Sequence, residues 1–257
     1  MREPIEAEPA VDPCVPRRRQ QQTSGHVTPL HACAACEVRA RAICAPLDAD
    51  EMARVERLVV PLQLDANATL VHEGDPVDRV YTVTRGMLRQ ARYLADGRRQ
   101  ITGFLSPGDF LGLARGGMHH STVEAVSEAE VCSMSRANLE EVFNRIPRLK
   151  DRLLVLAADT LERAEELQVS LGRRNPLEKV AAFLVGMAER MESAGLAADP
   201  LRLPMTRADI ADYLGLTIET VSRSFTKLRQ DGLIRLPASH LVELRSRARL
   251  EQLAGRS

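Results

Sequence analysis

Cys33, Cys36 and Cys44 stand in the run CAACEVRARAIC, separated by two residues and then by seven. Thiolates clustered this way serve three chemistries: a tetrahedral zinc site, an iron-sulfur cluster, or thiol-disulfide exchange. His31, just upstream, would complete a Cys3His zinc set with the same three sulfurs. Exchange chemistry needs the Cys-x2-Cys pair at a helix N-terminus beside a βαβ sheet, and no such pattern surrounds it. Nowhere else does the chain offer a nucleophile, base and acid together, so an enzyme is not expected. Two further cysteines, Cys14 and Cys132, lie far from the run. Taken alone, Cys132 reads as a small apolar residue of a strand.

The rest of the chain must hold these thiols and supply whatever they act upon. Its 257 residues, 44% of them apolar, are ample for one large domain or two smaller ones. Charge balances overall at 35 Lys and Arg against 35 Asp and Glu, yet Leu201 to Ser257 carries ten basic and six acidic residues. That local excess suits a nucleic-acid surface. No apolar run approaches the roughly 18–20 residues that span a bilayer. The opening MREPIEAEPAVDPCVPRRRQQQ lacks the apolar centre of a signal peptide. A cytoplasmic protein with no membrane partner is therefore expected, and in that reducing compartment clustered cysteines bind metal or do redox chemistry more often than they form disulfides.

Five segments are expected. Residues 1–25, rich in Pro, Glu, Arg and Gln, have little to bury and read as a disordered tail. Residues 26–46 form the cysteine-rich segment. Residues 47–147 open with a short helix, Asp48 as its N-cap and Met52, Val55, Leu58 and Val59 as its apolar side. From Gln63 to Arg136, short alternating stretches such as RVYTVTRG, RQITGFL and AEVCSMS are broken by Gly, Asp and Pro about every 8–12 residues. That rhythm implies an antiparallel β-roll or jelly roll. Asp96-Gly97 is expected to close one hairpin through a type I′ turn, with φ positive at both central residues.

Residues 148–173 read as one long helix, with Leu153, Leu156, Thr160, Ala164, Leu167 and Leu171 on a single stripe. Such a stripe packs on its own domain or forms a coiled-coil-like dimer seam. A length of roughly 40 Å, at about 1.5 Å per residue, favours dimerisation. Thr160 and Ala164 make that seam weak. Residues 174–257 begin with a helix from Asn175-Pro176 through Met191 and continue into TRADIADYLGLTIETVSRSFTKLRQDG. There Ala211 allows a close helix crossing, Gly215 a turn, and Val221 seats a second helix, which is a helix-turn-helix pattern. Thr217 is the natural N-cap of that second helix. Ser224 occupies a position that is often apolar, so Phe225 and Leu228 are expected to seat the helix. LIRLPASHLVEL reads as a β-hairpin wing. Glu219, Ser222 and Arg223 share one helix face. Arg can grip guanine O6 and N7, Glu can accept from cytosine N4, and Ser can meet a base edge or a phosphate. Thr217, Thr220 and Lys227 complete the expected contact set on double-stranded DNA.

Over nearly its whole length from about His26, the chain resembles the FNR group of the CRP superfamily of bacterial regulators. The resemblance rests on RADIADYLGLTIETVSR, on RGMLRQ and RRQITGFLSPGDFLG in the roll, on the long helix and on the cysteine placement. It implies an α+β fold: an N-terminal β-roll (a cyclic-nucleotide-binding-like jelly roll), a long dimerisation helix and a C-terminal winged helix-turn-helix. It also implies that Glu219, Ser222 and Arg223, in the pattern E-x-x-S-R, read a TTGAT-type half-site. Oxygen sensors of the group hold a [4Fe–4S] cluster, whose ligands map to Cys33, Cys36, Cys44 and Cys132. The C-x7-C spacer resembles the variant of photosynthetic and nitrogen-fixing α-proteobacteria. Cys14 has no counterpart there. Two cysteines two residues apart can ligate through one turn, and the longer spacer lets Cys44 reach round the core. Arg39 and Arg41 would offset its negative charge.

The resemblance further implies a homodimer that engages RNA polymerase. With the cluster intact, the cysteine segment would dock on the roll and bias the long helix toward pairing, setting two recognition helices about 34 Å apart. A structural zinc site remains the alternative, and a thiol oxidoreductase a distant one. Cyclic nucleotide is not expected, because GDFLGLARGGMHHSTVEA has no Glu after Gly112 and places His119-His120 where a phosphate-pairing Arg would precede Ser121-Thr122. Arg115 stands out of register for that role.

Overall fold

The computed structural model describes residues 33–114, 116–193 and 195–255. Cys14, His31, Arg115 and the expected tail at 1–25 lie outside them. No helix among the described residues is long and apolar enough to cross a membrane.

The cysteine segment opens with a 3-10 turn at Cys33–Ala35 and continues through linked turns to α1 (Ala49–Glu56). Asp48 caps α1 and forms a full capping box, because Glu51 reaches back to the Asp48 N–H. Such a cap is worth about 0.5–2 kcal/mol. The roll follows as two antiparallel four-stranded sheets. One has the order β1-β8-β3-β6, built from β1 (Val60–Leu64), β8 (Ala129–Ser135), β3 (Arg79–Arg85) and β6 (Phe110–Leu111). The other has the order β2-β7-β4-β5, built from β2 (Thr69–Val71), β7 (Thr122–Ala125), β4 (Leu88–Tyr93) and β5 (Arg99–Leu105). Leu70, Val83, Leu88, Leu105, Val123 and Val131 fill the space between the sheets. Each fully buried side chain of this size contributes about 1.5–3 kcal/mol.

The β4–β5 hairpin forms where expected but not through a type I′ turn. Gly97 alone has positive φ, at 85°, and its N–H donates to Leu94 O at 2.9 Å, while Leu94 N–H donates to Arg98 O at 2.8 Å. This is a turn centred on Ala95-Asp96 that ends in a left-handed glycine, the three-residue loop with a bulge. Asp96 escapes positive φ because its carboxylate instead accepts from the Arg98 N–H at 3.0 Å.

Beyond the roll come α2 (Arg136–Arg145), α3 (Arg148–Arg173) and α4 (Pro176–Ser193). The winged helix-turn-helix comprises β9 (Leu201–Arg202), α5 (Arg207–Leu214), α6 (Ile218–Gln230), β10 (Ile234–Ala238), β11 (Leu241–Leu244) and α7 (Arg247–Leu253). The three strands pair in the order β10-β11-β9.

The stripe assigned to α3 divides in a way that its spacing does not reveal. Leu156 and Leu167 line a cleft of about 520 Å³ against α4 and α5 of the same protomer. Leu171 lies against Gly215, close enough that a Cβ there would sit 3.3 Å from it. Leu153 is half-buried, and Thr160 and Ala164 are exposed. Leu156 and Leu167 therefore pack at home, while Leu171 stays exposed despite its contact with Gly215. The most exposed apolar side chains of α3 are Leu154, at 68%, and Leu161, at 61%, both on the opposite side, with Val155 and Val169 also exposed.

Candidate thiol site and nucleic-acid interface

Alternation along β8 decides where Cys132 points. Ala129 and Val131 enter the roll, whereas Met134 joins a second core outside it with Leu47, Met52, Val55, Leu139 and Leu149. Cys132 shares the outward parity of Met134. It pairs with Pro61 on β1 and Thr82 on β3, so it sits in the middle of the sheet. Cys33 and Cys44 pack against that same outer core. The segment is held there by specific bonds: Cys33 N–H donates to Glu56 Oε1 at 3.0 Å, and Arg39 donates to Leu47 O at 2.8 Å.

The four described cysteines are thereby gathered, all as free thiols. Burial pushes the Cys132 thiol up to about 12, and the neighbouring Cys33, Cys36 and Cys44 add to the rise. Cys33 is pushed up to about 11, by burial first and then by Glu56, Cys44 and Cys36, with Arg39 opposing. Burial and Cys36 also raise Cys44, against the pull of Arg39 and Arg152. Burial lowers the pKa of the Arg41 guanidinium, with Asp109 and Cys36 opposing. Among the described residues no three His, Cys, Asp or Glu side chains gather in the geometry that holds one metal ion. The thiols lie within electrostatic reach of one another, Cys33, Cys36 and Cys44 each raising a neighbour's pKa. Four thiolates here would be costly without a cationic centre to neutralise them, and thiolates spread round a shared core are what a polynuclear iron-sulfur group requires. In donor chemistry, the four sulfurs would supply the thiolate set of such a group.

At the far end, α5 and α6 meet across a left-handed turn at Gly215, φ 61°. Val221, Phe225 and Leu228 are buried and seat α6. Ser224 is buried too, its hydroxyl satisfied by donating to Thr220 O at 2.9 Å. Thr217 caps the helix by accepting from the Thr220 N–H at 3.2 Å. Glu219, Ser222 and Arg223 stand exposed on one face, as does Thr226, which sequence reasoning missed although it falls one further turn along. Thr220 is half-buried, and Lys227 is exposed and paired with Asp231 at 2.9 Å. The Glu219 carboxyl lies below its usual range, held there by hydrogen bonds from its own backbone and from Thr217. Sequence reasoning also missed Arg207. Its guanidinium stacks 3.2 Å from the centre of the Phe225 ring, and burial lowers its pKa to about 10. The stack pins α5 to α6.

Residues 178–253 match the model of the Crp-like helix-turn-helix domain, and residues 61–146 match that of the cyclic nucleotide-binding domain. The chain is 42% identical over 224 residues to a nitrogen fixation regulation protein FixK of Bradyrhizobium diazoefficiens, covering 87% of this chain and 94% of that one. It is 37% identical to the transcriptional activator protein FnrL of Cereibacter sphaeroides, covering 89% and 94% of the two chains. Among solved structures, FixK2 from Bradyrhizobium japonicum superposes with a TM-score of 0.72 at 35% identity, over 77% of this chain and 98% of that one. With such relatives spanning both the roll and the helix-turn-helix, the chain belongs to the CRP/FNR family of transcription regulators, within its FNR group.

Proposed function

We propose that this protein is an oxygen-responsive transcription regulator that binds TTGAT-type palindromic DNA as a homodimer while a [4Fe–4S] cluster is held by Cys33, Cys36, Cys44 and Cys132. One observation carries the reading: Cys132, on the outer face of a central strand of the roll, lies beside the outer core on which Cys33 and Cys44 pack, within electrostatic reach of all three segment thiols. A cluster bound there would supply an oxygen-labile tie between segment and strand. The chain's own residues do the rest. Cys33 N–H and Glu56 fix the start of the segment, and Arg39 fixes its end at Leu47. Leu154 and Leu161 offer an apolar face to a second copy, and Glu219, Ser222 and Arg223 face the major groove. Family relatives named as transcriptional activators support contact with RNA polymerase, and no enzymatic step is part of this reading.

The test is preparation without air. The protein should emerge brown, with about four iron atoms per protomer, and should bleach and lose specific DNA binding when oxygen is admitted. Cys132→Ala should abolish the colour. A colourless protein carrying a single zinc, or a Cys132→Ala variant with full iron and anaerobic DNA binding, would refute the four-thiolate reading.

A further inference from the structure

We propose that Arg152, with Arg148 one turn before it, is the coupling that transmits the state of the cysteine segment to α3. This rests on the cluster reading above and assigns its transmission to named side chains. Arg152 Nε donates to Ala42 O at 3.3 Å, and a second nitrogen of the same guanidinium donates to Arg41 O. Arg148 Nε donates to Pro46 O at 2.9 Å, and its guanidinium pairs with Glu51 of α1. The three carbonyls flank Cys44 on both sides. Ala42 O also accepts from the Ala45 N–H at 3.1 Å, whereas among the described residues no backbone donor reaches Arg41 O or Pro46 O, so those two depend on the arginines. A planar guanidinium with its donors in a fixed fork satisfies two of them only while the turn keeps one shape.

Position on the helix gives the grip its consequence. Arg148 and Arg152 are four residues apart and share the inner face of α3. Leu161 comes about two and a half turns beyond Arg152 at about 3.6 residues per turn, which places it on the opposite, outward side. Leu154 lies close to that same outward side. Holding the inner face therefore fixes the direction in which the outer apolar face points. Further along, Arg163 pairs with Asp109 of the roll at 3.4 Å, a contact that does not involve the segment. Release of the segment thus removes the polar hold on the first turns of α3, where Leu149 still packs on the outer core, and leaves the Arg163 contact in place.

Monomer–dimer equilibria of the full chain, measured by sedimentation with iron bound and after oxygen and chelator have removed it, give the test. In Arg152→Ala the iron content should match the wild type. Its iron-loaded dimer should be weakened by about tenfold or more, within the usual range of allosteric coupling, while the stripped protein should be unchanged. Arg152→Lys should recover part of the loss, since an ammonium reaches one carbonyl but does not fork across two. Equal weakening of both states, or loss of iron from both variants, would make Arg152 merely structural and overturn the proposal. If Arg152→Ala keeps the full iron-dependent difference, only this coupling fails. A wild type whose dimerisation ignores iron would sink the cluster reading along with it.

Discussion

Arg223 is held without being used up. Its Nε makes a long 3.4 Å contact to the Glu219 carbonyl, and its remaining donors project from the exposed face of α6. Glu219, kept ionised by its local hydrogen bonds, is ready to accept. Substituting Arg223 with Ala should cost about 1–3 kcal/mol per half-site against a TTGAT palindrome. Affinity for scrambled DNA should fall far less, which titration of labelled duplexes of the two kinds would reveal. Equal losses on the two duplexes would demote Arg223 to a phosphate contact. This face was legible because helix period is a local property: three residues at i, i+3 and i+4 must lie together once α6 forms. Ser224 was harder to place, since what makes a buried hydroxyl tolerable is the Thr220 carbonyl four residues back. Arg207 on Phe225 was hidden for a different reason, as the stack joins two helices whose crossing no spacing specifies.

The elements show where periodicity stops being informative. In α3 the apolar residues at three- and four-residue intervals support two overlapping stripes, because Leu153-Leu154 and Thr160-Leu161 are adjacent pairs. Spacing picks out a stripe but not the neighbour that will cover it. The α4–α5 cleft claims Leu167 and Leu156, Leu171 touches Gly215 while staying exposed, and Leu154 and Leu161 are left outward. Leu161→Glu should therefore abolish dimer formation with little change in the melting temperature of the protomer, because a charge placed in an apolar seam is left without a partner. Leu156→Ala should do the reverse, lowering protomer stability by about 1 kcal/mol, a typical cost for a half-buried site. Sedimentation and thermal melting of the two variants separate the faces, and a Leu161→Glu dimer as tight as the wild type would disprove the assignment. The β4–β5 turn taught a similar lesson. Asp-Gly marked the hairpin, but loop length was set by which carbonyl the Gly97 N–H reached.

At the scale of the whole molecule, the helix-turn-helix is seated on the roll of its own chain, which nothing in the sequence foretold. Met87, Ala91, Ile101 and Phe104 of the roll share one core with Val180, Phe183, Leu184, Leu214 and Phe225. Polar groups lock the seat. Asp209 is 2% exposed; one carboxylate oxygen accepts from the Thr206 N–H and hydroxyl, completing the cap of α5, while the other accepts from Arg99 at 2.8 Å and Arg89 at 3.3 Å. Arg99 also pairs with Asp212, and although burial works against its charge, the two carboxylates together raise its pKa. The carboxylate that caps α5 is also the bolt between the roll and the helix-turn-helix, joining residues about 110 positions apart in the chain. Removing it as Asp209→Ala strips a helix cap and leaves the buried Arg89 with one fewer partner, for which about 3–5 kcal/mol is the ordinary scale. Arg99→Ala leaves the cap and the Arg89 pair intact and should cost about 1 kcal/mol, the common scale of a single substitution. Because roll and helix-turn-helix share a core, calorimetry of the wild type should show one cooperative transition, and Asp209→Ala should shift it downward or split it in two. Two transitions already present in the wild type, untouched by the substitution, would mean that the recognition helix is carried on an independent arm rather than held in place by the roll.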